Sequence, residues 1–363
     1  MSLSDRIVSS LPVRRAWLSM AGALTVTAAL TLSGDGRAAP PEDPADAGAS
    51  DAPEPPATWR FKKHDRKVKV MLIAGSVGAW QKDPYLERFE EMCPNIEVKN
   101  LSKVGMGAYQ LKQRFRDQVL ENRYMPWGDD SLEFWLIFHG GLNSVAMPEK
   151  TNRYIRDIFM LAHRRGMGVV ALSLTPWGDD SDRERWGGVS ALWYRQYTQH
   201  IVDYVAGRSS PKEALGHQVG QRDNPEAPWD PNELADVGID LYDSALRDPN
   251  APSRDRAKLR AALAKDSKWK RAHADLSEAE REAALDRDSL YAAEAPKWWL
   301  RPELRSFDHI HPNHEGHALI AEIACPQLPE SWGCQCPPPA AAGEAWVPAA
   351  TDAAGPSPDR PTL

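Results

Sequence analysis

Short apolar runs and longer amphipathic runs alternate through the middle of the chain. Residues 67–73 (KVKVMLI) are branched and apolar over the length of a buried strand. Residues 96–101 (IEVKNL), 132–138 (LEFWLIF), 169–174 (VVALSL) and 237–242 (VGIDLY) read the same way. Between them, helical spacing of apolar positions predicts helices over 85–92, 108–120, 154–165 and 192–205, with a closing helix over 318–324. Strands alternating with helices build right-handed βαβ units, and these form a parallel sheet covered on both faces.

Two stretches interrupt the pattern. Residues 254–290 are dense in Arg, Lys, Asp, Glu and Ala and lack a wide apolar stripe. They predict one or two exposed helices inserted late in the chain, either a solvated excursion or a lid over a site. The hexapeptide PWGDDS at 126–131 recurs at 176–181, but its surroundings do not repeat, which excludes a solenoid. Two such acidic turns could coordinate a cation, although recurrence of ordinary loop chemistry is the simpler account.

The ends are different. Residues 16–33 carry no charge, follow Arg14 and Arg15, and precede Gly36-Arg37-Ala38. A basic start, an apolar run and a small-residue exit describe a secretory signal peptide, and the run is at the short end for a spanning anchor. Arg14 to Leu18 also loosely resembles a twin-arginine signal, and no Cys follows to make a lipoprotein. Residues 39–58 and 337–363 are rich in Pro and Ala with little to bury, as in solvated tethers. The predicted organisation is a signal or anchor over 1–38, a linker over 39–58, one folded domain over 59–336 and a tail over 337–363. Export places that domain outside the cytoplasm, periplasmic or secreted, with membrane attachment only through an uncleaved N-terminal segment. Apolar residues at 42% and charged residues at 26% exclude wholesale disorder. A net charge of −7 argues against nucleic acid as a partner.

Four segments at strand ends carry candidate chemistry. The first strand runs into Ala74-Gly75-Ser76-Val77-Gly78, a Ser in a glycine-flanked turn where a nucleophile can stand free and the following N–H groups can face an oxyanion. The second leads to Gly105-Met106-Gly107, which can offer a backbone N–H. The third ends in His139-Gly140-Gly141-Leu142-Asn143, which can offer an amide. In Asp308-His309-Ile310-His311, one turn of chain brings the carboxylate onto Nδ1 of His311 and leaves Nε2 free as a base.

In this order the four segments resemble the SGNH hydrolases, the GDSL-type esterases and lipases. Ser76 matches the nucleophile block, Gly105 the second block with Gly107 as an alternative, and Asn143 the third. Asp308 and His311 in DHIHPNHEGH match the last. The resemblance implies an α/β fold, a three-layer α/β/α sandwich on a flavodoxin-like parallel sheet. It implies hydrolysis of carboxylic esters through an acyl-Ser intermediate, with catalytic Ser76, Asp308 and His311 and an oxyanion hole of Gly105 and Asn143. It implies no metal and no organic cofactor, and a monomer acting on a small ester or an O-acylated saccharide or lipid. The chain departs from the family at Gly75 and Ser144, where the family carries Asp. Those losses keep open an inactive carbohydrate-binding member of the same fold, and the same Ser could serve an O-acyltransferase. His309, His311, His314 and His317 suggest a metal site, but the HPxxxGH run belongs to the family's last block.

Export permits disulfides among Cys93, Cys325, Cys334 and Cys336. Pairing Cys334 with Cys336 closes a strained ring. That leaves Cys93 joined to either of them with Cys325 joined to the other, or a lone Cys93–Cys325 bridge. If the sheet order is flavodoxin-like, the helices ending at Cys93 and Cys325 share one face, so Cys93 should lie near the C-terminal cysteines.

Overall fold

The computed structural model describes residues 57–80, 85–216 and 227–338. The apolar run at 16–33, most of the 39–58 linker and all but the first two residues of the tail lie outside them. The strands are β1 (Val68–Ala74), β2 (Ile96–Asn100), β3 (Glu133–His139), β4 (Gly168–Leu172) and β5 (Val237–Ile239). All pair in parallel in the order β2-β1-β3-β4-β5, the flavodoxin-like order. The helices are α1 (Ser76–Ala79), α2 (Tyr85–Met92), α3 (Ala108–Phe115), α4 (Pro148–Arg164), α5 (Arg183–Trp186) and α6 (Ser190–Val205). There follow α7 (Pro211–Leu215), α8 (Arg256–Leu263), α9 (Ser267–Ala272), α10 (Glu278–Ala293) and α11 (His314–Ala324).

β1 shows why its sequence is an apolar run rather than an alternation. Val68, Val70, Leu72 and Ala74 pack with α2 and α11, while Met71 and Ile73 pack with α3, α4 and α6. A strand covered on both faces has no polar side. The exception, Lys69, is buried against the Glu97 carboxylate at 2.7 Å and the Lys63 carbonyl at 2.6 Å.

Several element ends differ from the sequence reading for local reasons. α4 starts six residues earlier than predicted, at Pro148, where the missing N–H costs nothing in the first turn. α3 passes into a π-helical turn (Arg116–Leu120), in which the Gln118 carbonyl takes the Trp59 indole N–H at 2.9 Å. β5 stops at Ile239 because the Asp240 carboxylate accepts the N–H groups of Tyr242 at 2.8 Å and Asp243 at 3.0 Å and turns the chain. α11 begins at His314, earlier than predicted, because the Asn313 side chain caps it through the Gly316 N–H.

The charged insertion is helical and mostly exposed, as expected, but it forms three helices rather than one or two, and they share a core. α8, α9 and α10 bury Leu259, Leu263, Trp269 and Leu285 in a small core shared with Leu192 of α6. A few apolar residues, spread over three helices, converge in space without forming a wide stripe on any one of them. The disulfides join Cys93 to Cys334 and Cys325 to Cys336, one of the two complete pairings left open, and not the lone Cys93–Cys325 bridge. α2 packs against α11, which brings Cys93 to the C-terminal cysteines. Among the described residues no helix is long and apolar enough to cross a membrane.

Candidate active site

Parallel sheets gather functional side chains at the carboxyl ends of their strands. At the end of β1 the Gly75 N–H binds the carbonyl of His139, the last residue of β3, at 3.2 Å, and Ser76 opens α1. Ser76 borders a cavity of about 20 Å³ with Met106, His139, Asn143 and Thr175. Asn143 follows a sharp turn at Gly141, whose φ of 115° favours glycine. Its side-chain amide donates to the Met106 carbonyl at 3.2 Å. Ser144, at the position where the resembled family carries Asp, ties this turn to the neighbouring loop. Its hydroxyl accepts the Ala108 N–H and donates to the Gly141 carbonyl, each at 3.2 Å.

Gly105 has φ 78°. It lines a second, larger groove of about 400 Å³ together with Gly107, which caps α3. From this loop it is Met106, and not Gly105, that lines the cavity of Ser76.

Asp308 and His311 sit in a hairpin closed by the Ser306 N–H on the His311 carbonyl at 2.9 Å and the Asn313 N–H on the Leu304 carbonyl at 2.8 Å. Asp308 Oδ2 is 2.7 Å from His311 Nδ1, while Oδ1 accepts the N–H groups of Ile310 at 2.9 Å and His311 at 2.8 Å. Burial opposes ionisation of Asp308, but the hydrogen bonds from the His311 ring and from these two N–H groups outweigh it. They hold its pKa at about 2. A carboxylate on Nδ1 keeps the ring proton there, so Nε2 presents a lone pair. That Nε2 is buried and makes no hydrogen bond. The His311 ring stacks on Trp80 at 4.7 Å and 17°. Trp80 caps the C-terminal end of α1, one turn beyond Ser76, so the imidazole stands beside the helix that carries the serine.

The second PWGDDS copy holds this hairpin. The Gly178 N–H binds the His309 carbonyl at 2.7 Å. His309 Nε2 lies 3.1 Å from the Asp182 carboxylate and 3.2 Å from the Arg185 guanidinium. Both copies make the same turn, Asp129 accepting from Ser131 and Asp179 from Ser181, but the first lies at the opposite end of the sheet, before β3. Trp80 meets the site, whereas the tryptophans of the two PWGDDS copies are taken up in packing. Trp177 is fully buried and donates to the Thr198 hydroxyl at 3.1 Å, while Trp127 packs on Phe134.

The four clustered histidines have four different partners. His311 binds Asp308, His309 lies against Asp182, His314 is 3.1 Å from Arg88, and His317 stacks on Tyr85. Among the described residues no three His, Cys, Asp or Glu side chains gather to hold a metal ion. Beneath Ser76 the Tyr85 hydroxyl lies 3.0 Å from His139 Nδ1. Burial, with the charge of His317 adding to it, pushes the His139 pKa down to about 3. The contacts that Trp80, Met106, Ser144 and the Tyr85–His139 pair make here are not readable from the sequence, because they join distant segments.

Compared by sequence, the chain matches no family model and no curated protein. Compared by structure, it is similar to a GDSL-like lipase from Bacteroides thetaiotaomicron, with 13% identity over 73% of this chain and 89% of that one and a TM-score of 0.38. It is also similar to an acetyl xylan esterase, with 14% identity over 70% of this chain and 96% of that one and a TM-score of 0.35. A catalytic mutant of an acetylxylan esterase from Geobacillus stearothermophilus has 12% identity over 76% of this chain and 98% of that one, with a TM-score of 0.34.

Proposed function

We propose that the protein is an exported serine esterase of the SGNH type. The observation that carries this reading is the Asp308–His311 pair, with its buried, unpartnered Nε2 beside the helix that begins with Ser76. Ser76 Oγ attacks the ester carbonyl carbon as His311 Nε2 takes its proton. The tetrahedral oxyanion is met by the Ser76 N–H, by the Asn143 amide released from the Met106 carbonyl, and by a backbone N–H of the 105–107 loop, Gly105 by the resemblance. Each such donor is worth roughly 3–4 kcal/mol of barrier. His311 returns the proton to the leaving alkoxide, giving the alcohol and an acyl-Ser. Water, deprotonated by the same nitrogen, then attacks the acyl carbon, and the acid departs as Ser76 is reprotonated. Asp308 keeps His311 oriented and offsets its positive charge. The two disulfides support export, because such bonds persist outside the reducing cytosol.

p-Nitrophenyl acetate hydrolysis tests the reading. Ser76→Ala and His311→Ala should each remove nearly all turnover, and the double variant should lose no more than either, since the two act as a unit. Full turnover in Ser76→Ala, or loss of wild-type turnover with EDTA alone, overturns it.

A further inference from the structure

We propose that the substrate site is divided at Asn143, with an acetyl-sized cavity on one side and a saccharide-binding groove on the other. The proposal rests on the serine-esterase reading and names its substrate class. The cavity beside Ser76 holds about 20 Å³. A single water needs about 10–15 Å³ of such space, so this cavity has room for an acetyl methyl group and favours it over longer acyl chains. Leu174 and Thr175 at the end of β4, and Gly140 and Gly141 at the end of β3, bound it. These residues lie just beyond the strands, and Leu174 and Thr175 are held in place by burial.

The groove of about 400 Å³ borders the same Asn143 and lies between α3 and α4. It is large enough for most of a small ligand. Its walls carry Tyr109 and Tyr154, with ring centroids 5.2 Å apart, together with Gln110, Met147 and Lys150. Tyr109 is 47% exposed, so an aromatic surface faces solvent directly. Aromatic rings bind the apolar faces of sugar rings, while the amide and ammonium groups beside them suit hydroxyls. A lipid alcohol calls instead for an enclosed apolar channel, whereas this groove is open to solvent and sets an amide and an ammonium among its aromatic and apolar walls. The ester bond spans the divide: its acetyl group sits over Ser76 and its sugar oxygen points past Asn143 into the groove.

The experiment compares kcat/KM for mono-O-acetyl-cellobiose, octyl acetate, p-nitrophenyl acetate and p-nitrophenyl butyrate, and measures cellobiose binding to Ser76→Ala by calorimetry. The wild type should favour acetate over butyrate and acetyl-cellobiose over octyl acetate. Tyr109→Ala with Tyr154→Ala, and separately Lys150→Ala, should lower the ratio of acetyl-cellobiose to p-nitrophenyl acetate turnover, by about tenfold for the tyrosines and chiefly through KM. The same changes should weaken cellobiose binding, while Leu290→Ala, far from the groove, should leave both readouts unchanged. A preference for octyl acetate or butyrate, or an unmoved ratio with no cellobiose bound, overturns the divided site. Cellobiose binding that needs the tyrosines, without hydrolysis of any ester, overturns the esterase reading and keeps the groove.

Discussion

Asp308 and His139 show opposite ways in which a side chain becomes fixed in one charge state. Asp308 is half-buried but receives three hydrogen bonds, so its carboxylate stays charged down to about pH 2. Its ordinary value is 3.8, so the stability it contributes is complete above that pH and is lost as pH falls from 3.8 through about 2. His139 is fully buried and stays neutral down to about pH 3, against an ordinary value of 6.5. The unfolded chain takes up that proton first. Stability is therefore lost as pH falls from 6.5 toward about 3, well before Asp308 titrates. The urea midpoint of the wild type should drop between about pH 7 and about pH 4.5 by more than that of His139→Gln, whatever their offset at neutral pH. Equal drops in the two proteins would remove His139 as the source of acid sensitivity.

Helices α8, α9 and α10 were legible as helical but not as packed. The core they share with Leu192 sits on the outer side of α6, away from the sheet. None of the residues bordering the Ser76 cavity comes from 254–290. That arrangement braces α6 and argues against a lid. Trp269 is 2% exposed and its indole binds Asp288 at 2.8 Å. Trp269→Ala should cost about 3–5 kcal/mol of unfolding free energy. The chain-length preference for p-nitrophenyl esters should stay as it is in the wild type. A changed acetate-to-butyrate ratio in the folded variant would restore the lid. The second PWGDDS turn makes a related point. Identical residues in the first copy only shape a turn before β3, whereas the second copy grips the hairpin of Asp308 and His311.

Two covalent links tie the C-terminal segment to the α2–α11 layer. Cys93–Cys334 spans 241 residues and Cys325–Cys336 spans 11. Chain-entropy reasoning assigns about 5 kcal/mol to the longer loop and about 3 kcal/mol to the shorter, as upper values. Replacing Cys93 and Cys334 together by Ser should therefore lower the melting temperature more than replacing Cys325 and Cys336. The reverse order, measured by calorimetry, would show that local packing of the C-terminal turn, and not loop closure, sets the effect. Cys93 and Cys325 are both buried, so each variant should be read against a Ser-to-Ala control at the same positions.

Much of this protein is written along the chain. β-branched runs of strand length, helical spacing between them and turn residues at their ends specify a parallel sheet, because each of these signals is local. The Asp308–His311 contact is local as well: three residues separate the pair, and the Asp also binds the N–H groups of the turn it spans. Ser76 is marked by its glycine-flanked turn. What the chain does not spell out is every contact that needs two distant segments at once. Trp80 meets His311, Ser144 meets Ala108, and Asp182 meets His309 only after the sheet order is set. The choice of Cys334 over Cys336 for Cys93 has the same origin, since two cysteines one residue apart look alike until the last turn is packed. The insertion core and the groove between α3 and α4 follow suit. Period and turn chemistry act between neighbours in sequence, whereas burial and cavity shape are properties of the assembled layers.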